Sequence, residues 1–147
     1  MTSEAADFFT STVEPTVSEF LGDLKDVRRG RLAAIVLSHM ADYLAAERGT
    51  SPSHVRDEIS KQCPEFSLIR DISDATKHAR LSRKASLSSS RQITSSPGIL
   101  TATFGIGLFG EAVVVFATLD DGTAIELGPT VRTVMEALRG QLSGIKK

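Results

Sequence analysis

The chain has 147 residues, 41% of them hydrophobic, and a formal charge of -1. That length suits one domain around one core, and that apolar share excludes a disordered chain. The near-neutral balance excludes a surface tuned as a whole to nucleic acid or to anionic membrane.

The first expected element covers Ala5–Asp26, where Phe9, Val13, Val17, Phe20 and Leu24 recur at helical spacing. Pro15 inside it should either kink one helix or open a second at its first turn. The second element, Asp26–Arg48, is the clearest helix. Leu32, Ile35, Val36, Met40 and Tyr43 form its expected apolar stripe, and Gly49 supplies a stop. His39 lies in the middle of that stripe on a helical wheel, with Asp42 at its edge. A short third helix follows Ser51, a capping residue, and Pro52, and ends before Cys63-Pro64. The fourth runs from about Pro64 to Leu81, with Leu68, Ile69, Ile72, Ala75, Thr76 and Ala79 on its apolar side.

The period then changes. Ile99–Phe104 and Ala112–Leu119 are rich in strand-forming residues, and Asp120-Asp121-Gly122 reads as a hairpin turn into Thr123–Leu127. Gly128-Pro129 opens a last helix, carrying Val131, Val134, Met135, Leu138 and Leu142 on one face. Helices followed by strands predict an α+β fold. It has an N-terminal bundle of about four helices, a small antiparallel hairpin or meander, and a C-terminal helix. Residues 1–147 read as one domain, in which 1–81 are helical, 82–97 are a connector, and 98–147 hold the strands and last helix.

Location follows from what is missing. Met1–Phe9 carries Glu4 and Asp7 and no basic residue, unlike a secretory signal. The longest apolar run, Leu32–Leu37, is too short to span a bilayer. One cysteine, Cys63, allows no intrachain disulfide, which suits a reducing compartment. A cytoplasmic protein without membrane attachment is expected.

Charge is uneven along the chain. From Ala75 to Gly110 there is no acidic residue, while Lys77, Arg80, Arg83, Lys84 and Arg91 give that stretch a charge of +5. Its centre, Leu81–Ser96, is rich in serine. Two readings stay open: a mobile solvated connector, or a strip over residues 77–91 that meets nucleic acid or another phosphate-bearing ligand. Within it, Arg83-Lys84-Ala85-Ser86 resembles the target of a basophilic kinase.

Gly105-Ile106-Gly107-Leu108-Phe109-Gly110 spells G-x-G-x-x-G. In a dinucleotide fold that motif must open a helix. Here Glu111–Phe116 follows, a strand-like run. A kinase nucleotide loop would need Val where Ala112 stands, and the other kinase motifs are missing. A glycine-rich hairpin connection is expected, and no cofactor.

The fourth helix carries Arg70-Asp71-Ile72-Ser73-Asp74-Ala75-Thr76-Lys77-His78. Asp71, Asp74 and His78 share a face, and Asp71 and His78 lie at the margin of the apolar arc, where a titratable group is partly desolvated. A carboxylate there can orient an imidazole for acid–base work. The alternative is a solvated face with helix salt bridges such as Arg70–Asp74. If His39 and Asp42 converge on Asp71 and His78, the four form a polar cluster inside the bundle. Such a cluster can be structural, catalytic or metal-binding, although the spacing matches no zinc motif and no metal ligand is assigned. Cys63 reads as a helix-boundary residue.

Three patterns carry a resemblance. They are H-x-x-D-aromatic at His39, Asp42 and Tyr43; C-P-x-F at Cys63, Pro64 and Phe66; and R-D-x-x-D-A-x-K-H at Arg70, Asp71, Asp74, Ala75, Lys77 and His78. Together, over residues 30–80, they resemble a group of small bacterial and phage-associated proteins, a likeness that implies no activity. More distantly, the Arg-polar…His pattern on a helical bundle is similar to HEPN domains. That likeness implies an RNase or nucleotide-handling protein of a phage-defence or toxin–antitoxin system, acting as a homodimer. Arg70 would then stabilise phosphate charge, His78 would serve as acid or base, and Asp71 would orient it. Seven residues separate Arg70 from His78, one more than the widest usual HEPN spacing, which turns the pair by about one helical step.

Three functions are thus expected as alternatives. The first is a binding or interaction protein without catalysis, using His39, Asp42, Asp74, Lys77, Arg80, Arg83 and Lys84. The second is the HEPN-like activity. The third is a metal-dependent hydrolase built on His39, Asp42, Asp71 and His78.

Overall fold

Helical spacing persists across Pro15, and the chain stays helical there by changing pitch. A computed structural model describes residues 2–95 and 113–144. In it α1 (Glu4–Phe8) passes through a π turn (Phe9–Val13) into α2 (Glu14–Leu21). Glu14 N–H reaches back five residues to Phe9 O. Pro15 has no N–H to offer and clashes with the preceding turn, and the wider π turn just before it absorbs the conflict.

α3 (Val27–Arg48) starts at an Asp26 cap, whose carboxylate accepts from Arg29 N–H at 3.0 Å. It stops at Gly49, whose φ of 63° is left-handed. α4 (Pro52–Gln62) has the expected Ser51 cap on His54 N–H at 3.1 Å and Pro52 in its first turn. α5 (Glu65–His78) is the central helix, with Phe66, Leu68, Ile69, Asp71, Ile72, Ser73 and Ala75 all buried.

α5 ends three residues before the expected Leu81. Ala79 takes φ 65°, a conformation that ends an α-helix. The turn lets Arg80 N–H donate to His78 O at 2.7 Å and Ser90 N–H donate to Ala79 O at 2.9 Å. Ala79, expected on the apolar side, is exposed.

Among the described residues the sheet has three strands in the order β1 (Ile93–Thr94), β2 (Phe116–Thr118), β3 (Ala124–Glu126), paired antiparallel. Ile93 pairs with Ala117, and Ala117 with Ile125. β2 and β3 fall inside the two expected strands around Asp120-Asp121-Gly122, and Gly122 supplies the positive φ of 90°. β1 was not anticipated: it lies in the segment read as a connector. The expected strand Ile99–Phe104 and the glycine-rich Gly105–Gly110 lie outside the described residues. α6 (Leu127–Ser143) follows β3 directly.

The fold is therefore α+β, as the element pattern implied. One apolar cluster joins Phe20, Leu37, Met40, Phe66, Ile72, Leu87, Leu127 and Leu138. Among the described residues no helix is long and apolar enough to cross a membrane.

Candidate functional site

Ala79 throws the chain off the end of α5 and back along the helix. The returning loop is closed at its base by Leu81 N–H on Ser88 O at 2.8 Å and by the Ser90–Ala79 bond. Between these ends it is tied to α5 by charge. Arg83 Nη2 donates to Asp71 Oδ1 at 2.7 Å and to Asp74 Oδ2 at 2.8 Å. The Ser86 N–H and hydroxyl both donate to Asp71 Oδ2, at 3.0 and 2.8 Å. Leu87 then enters the core with no exposed surface.

The rest of the segment is held as firmly. Ser88 Oγ and Gln92 Nε2 both donate to Asp120 at 2.8 Å, which docks the loop on the β2–β3 turn. Arg31 of α3 donates to Ser90 O at 2.9 Å. The described part of the serine-rich connector is thus a packed strap. Ser86 and Ser88 donate to the distant Asp71 and Asp120 while Ser89 caps the Arg91 N–H, uses that composition does not separate from solubility.

Asp71 is the buried charge at the centre, only 5% exposed. A carboxylate out of water stays charged when donors surround it, and its two oxygens accept three hydrogen bonds. Burial opposes the charge on Arg83, but its bonds to Asp74 and Asp71 outweigh that and raise the pKa of its guanidinium.

This arrangement corrects the expected catalytic group Arg70, Asp71 and His78. Asp71 is committed to Arg83 and Ser86 and does not orient His78. His78 is exposed, and its imidazole has no hydrogen bond or ion pair among the described residues. Arg70 lies 3.8 Å from Asp74, the helix salt bridge also anticipated, and Lys77 lies 3.8 Å from the other oxygen of Asp74.

Whether His39 and Asp42 join Asp71 and His78 inside the bundle was open, and the exposure of the first two answers it: they do not form an inner cluster. His39 Nδ1 meets Asp42 Oδ2 at 3.1 Å, but the two side chains are 43% and 47% exposed. Arg56 of α4 stands 3.7 Å from Asp42. The buried face of α3 is Ala33, Ala34, Leu37, Met40, Ala41, Leu44 and Ala45, while Leu32 is exposed. Small alanines let neighbouring helices close on that face, and a stripe drawn through the larger residues is rotated away from it. Among the described residues no three His, Cys, Asp or Glu side chains are arranged to hold a metal ion.

Cys63 is buried, and that burial, with a bond to Glu65 at 3.4 Å, pushes its thiol pKa up. It is a packed boundary residue and a poor nucleophile.

What the strap and the end of α5 enclose is a solvent-facing cleft of about 470 Å³, lined by Asp74, His78, Arg80, Leu81, Ser82 and Arg83. Between Arg70 and Lys84 stand five cations and two carboxylates, a surplus of three positive charges. The helix C-terminus carries only about half a negative charge, too little to cancel that surplus. Arg80 and Lys84 have no ion-pair partner among the described residues. The sequence points to His78, Arg80, Asp74 and Arg83, to Ser86 as a kinase target and to Asp120 as a turn residue, but not to the contacts of Ser86 and Asp120 or to the parts played by Leu87 and Gln92. The one signal for these was the pair of apolar residues, Leu87 and Ile93, in an otherwise polar stretch.

The chain matches no protein-family model, no curated protein and no solved structure, so its site is read from its own geometry.

Proposed function

We propose that this protein is a binding module, without catalysis, whose cleft at the end of α5 takes a phosphate-bearing ligand. One observation carries the reading. Asp71 and Asp74 are occupied by Arg83 and Ser86, so among the described residues Arg80 and His78 stand without a charged partner in the lining of an open cleft. Cations without internal partners attract phosphate and release its counterions on binding. No Phe, Tyr or Trp is among the cleft's lining side chains. The ligand is read by its phosphates, and a sequence-independent nucleic-acid backbone fits as well as a small phosphate ester. Arg70, Asp71 and His78 share no hydrogen bond, and the reading stops at binding.

Fluorescence anisotropy with a labelled single-stranded RNA oligonucleotide, and calorimetry with inorganic phosphate, test it. The double variant His78→Ala/Arg80→Ala is expected to bind the oligonucleotide about tenfold or more weakly, with Tm unchanged and a shallower salt dependence. Equal affinity of variant and wild type, or no binding of either probe at low salt, would reject the cleft as an anion site.

A further inference from the structure

Ser86 holds the strap to α5 without a charge of its own. Its N–H and hydroxyl both rest on Oδ2 of Asp71, while the residue as a whole is exposed at the protein surface. Three and two positions before it stand Arg83 and Lys84, the basic residues that a basophilic protein kinase reads ahead of its target. Lys84 is exposed and Ala85 adds no bulk. Presenting Arg83 and Ser86 to a kinase requires releasing their contacts to Asp71 and Asp74 and the bond from Asp120 N–H to Ser86 O at 2.9 Å, a local opening of a surface loop.

We infer that Ser86 is a phosphoacceptor, and that its phosphorylation unlatches residues 82–87 from α5. The phosphoryl donor is a nucleoside triphosphate. The bond between its γ-phosphorus and the bridging oxygen breaks, and Ser86 Oγ bonds to that phosphorus. The nucleoside diphosphate leaves, and the hydroxyl proton passes to the kinase's base. A donor is thereby replaced by a group of about two negative charges that only accepts.

That group has no place where the hydroxyl was. Its oxygens would meet Asp71 Oδ2, which the hydroxyl now touches at 2.8 Å, with Asp74 bound to the same Arg83 nitrogen. Arg83, three residues away on the loop, can instead turn to the phosphate. Asp71, almost fully buried, then loses its ion pair and its hydroxyl donor together, and the Ser86 N–H is left to hold the latch against the repulsion of two like charges. Two walls of the cleft, Ser82 and Arg83, belong to the segment that lifts. The inference stands whatever the cleft binds, because it rests on the latch alone.

The test uses the full chain, ATP and the catalytic domain of a protein kinase that selects Arg three residues before its target. Peptide mapping should find one phosphate, on Ser86. Hydrogen exchange should then run about tenfold or more faster over residues 82–87, with α3 as protected as before. Ser86→Ala should take no phosphate. Because it keeps the N–H bond to Asp71, its loop should exchange within about threefold of wild type. No phosphate, a phosphate on Ser82, Ser88, Ser89 or Ser90 instead, unchanged exchange in phosphorylated protein, or equal acceleration of α3 would each overturn it.

Discussion

Asp71 shows how one side chain changes meaning between a helical wheel and a folded chain. On the wheel it sits at the apolar margin next to His78. In the structure that margin is covered by the strap, and the carboxylate becomes the strap's anchor. Asp71→Ala would orphan the Ser86 N–H and leave Arg83 with Asp74 alone. Denaturant melts should show a loss of about 2–3 kcal/mol. Asp74→Ala, in a side chain 23% exposed, should cost about 1 kcal/mol or less. Ser73 is the opposite case: its Oγ is buried with no hydrogen-bond partner among the described residues. Ser73→Ala removes an unsatisfied group, so a change between zero and about 1 kcal/mol of stabilisation is expected in the same melts. Asp120 ties the strap to the hairpin turn, and the hydrogen bonds from Ser88 and Gln92 hold its carboxyl below the usual range. A depressed folded value contributes stability above about pH 4, lost as pH falls through it. The protection of the Ser88 and Gln92 amides, taken relative to their intrinsic exchange at each pH, should fall in wild type as pH is lowered from about 5. In Asp120→Asn that protection should not change with pH.

At the scale of elements, caps and turns were legible because their chemistry is local. Asp26, Gly49, Ser51 with Pro52, and Asp120-Asp121-Gly122 each act on backbone groups within a few residues. Faces and ends that answer to distant residues were not. The buried face of α3 is set by how near α2, α5 and α6 approach, and the alanines and Gly30 make that approach possible. A Cβ at Gly30 would stand 2.9 Å from Leu127 Cδ2 and 3.1 Å from Phe20 Cε1. Both neighbours are fully buried, so Gly30→Ala should cost about 1–3 kcal/mol in thermal or chemical unfolding. Gly128→Ala meets only the tip of Leu24, at 2.9 Å, in a partly buried side chain that can swing away. Its cost should be below about 1 kcal/mol; an equal cost for the two would count against this account of the packing. α5 ends early for a similar reason. No glycine or proline marks Ala79 as a stop, and the turn goes with the bonds that Ser88 and Ser90 make to Leu81 and Ala79 across the loop.

At the scale of the whole molecule, the two ends of the chain are fastened together. Arg139 of α6 reaches Glu14 at 3.3 Å and lies 5.7 Å from the centre of the Phe9 ring. Val131, Val134 and Leu138 of α6 close the core with no exposed surface. Leu138→Ala should therefore cost about 2–5 kcal/mol. The loss should appear as one cooperative transition, with far-UV signal and hydrogen exchange in α3 moving together. The amino-acid sequence by itself determined the class of the fold, the order of its helices and the β2–β3 hairpin, and most of its caps and turns, because hydrophobic period and turn chemistry act over short range. It also marked the stretch after α5 as basic, serine-rich and free of acid. Only the tertiary structure decided what that stretch does. Arg83 and Ser86 find their partners 9 to 15 residues away in sequence, across a turn that no local residue announces. Folding the strap onto Asp71 spends the carboxylate that a catalytic reading would need, and leaves Arg80 and His78 lining an open cleft.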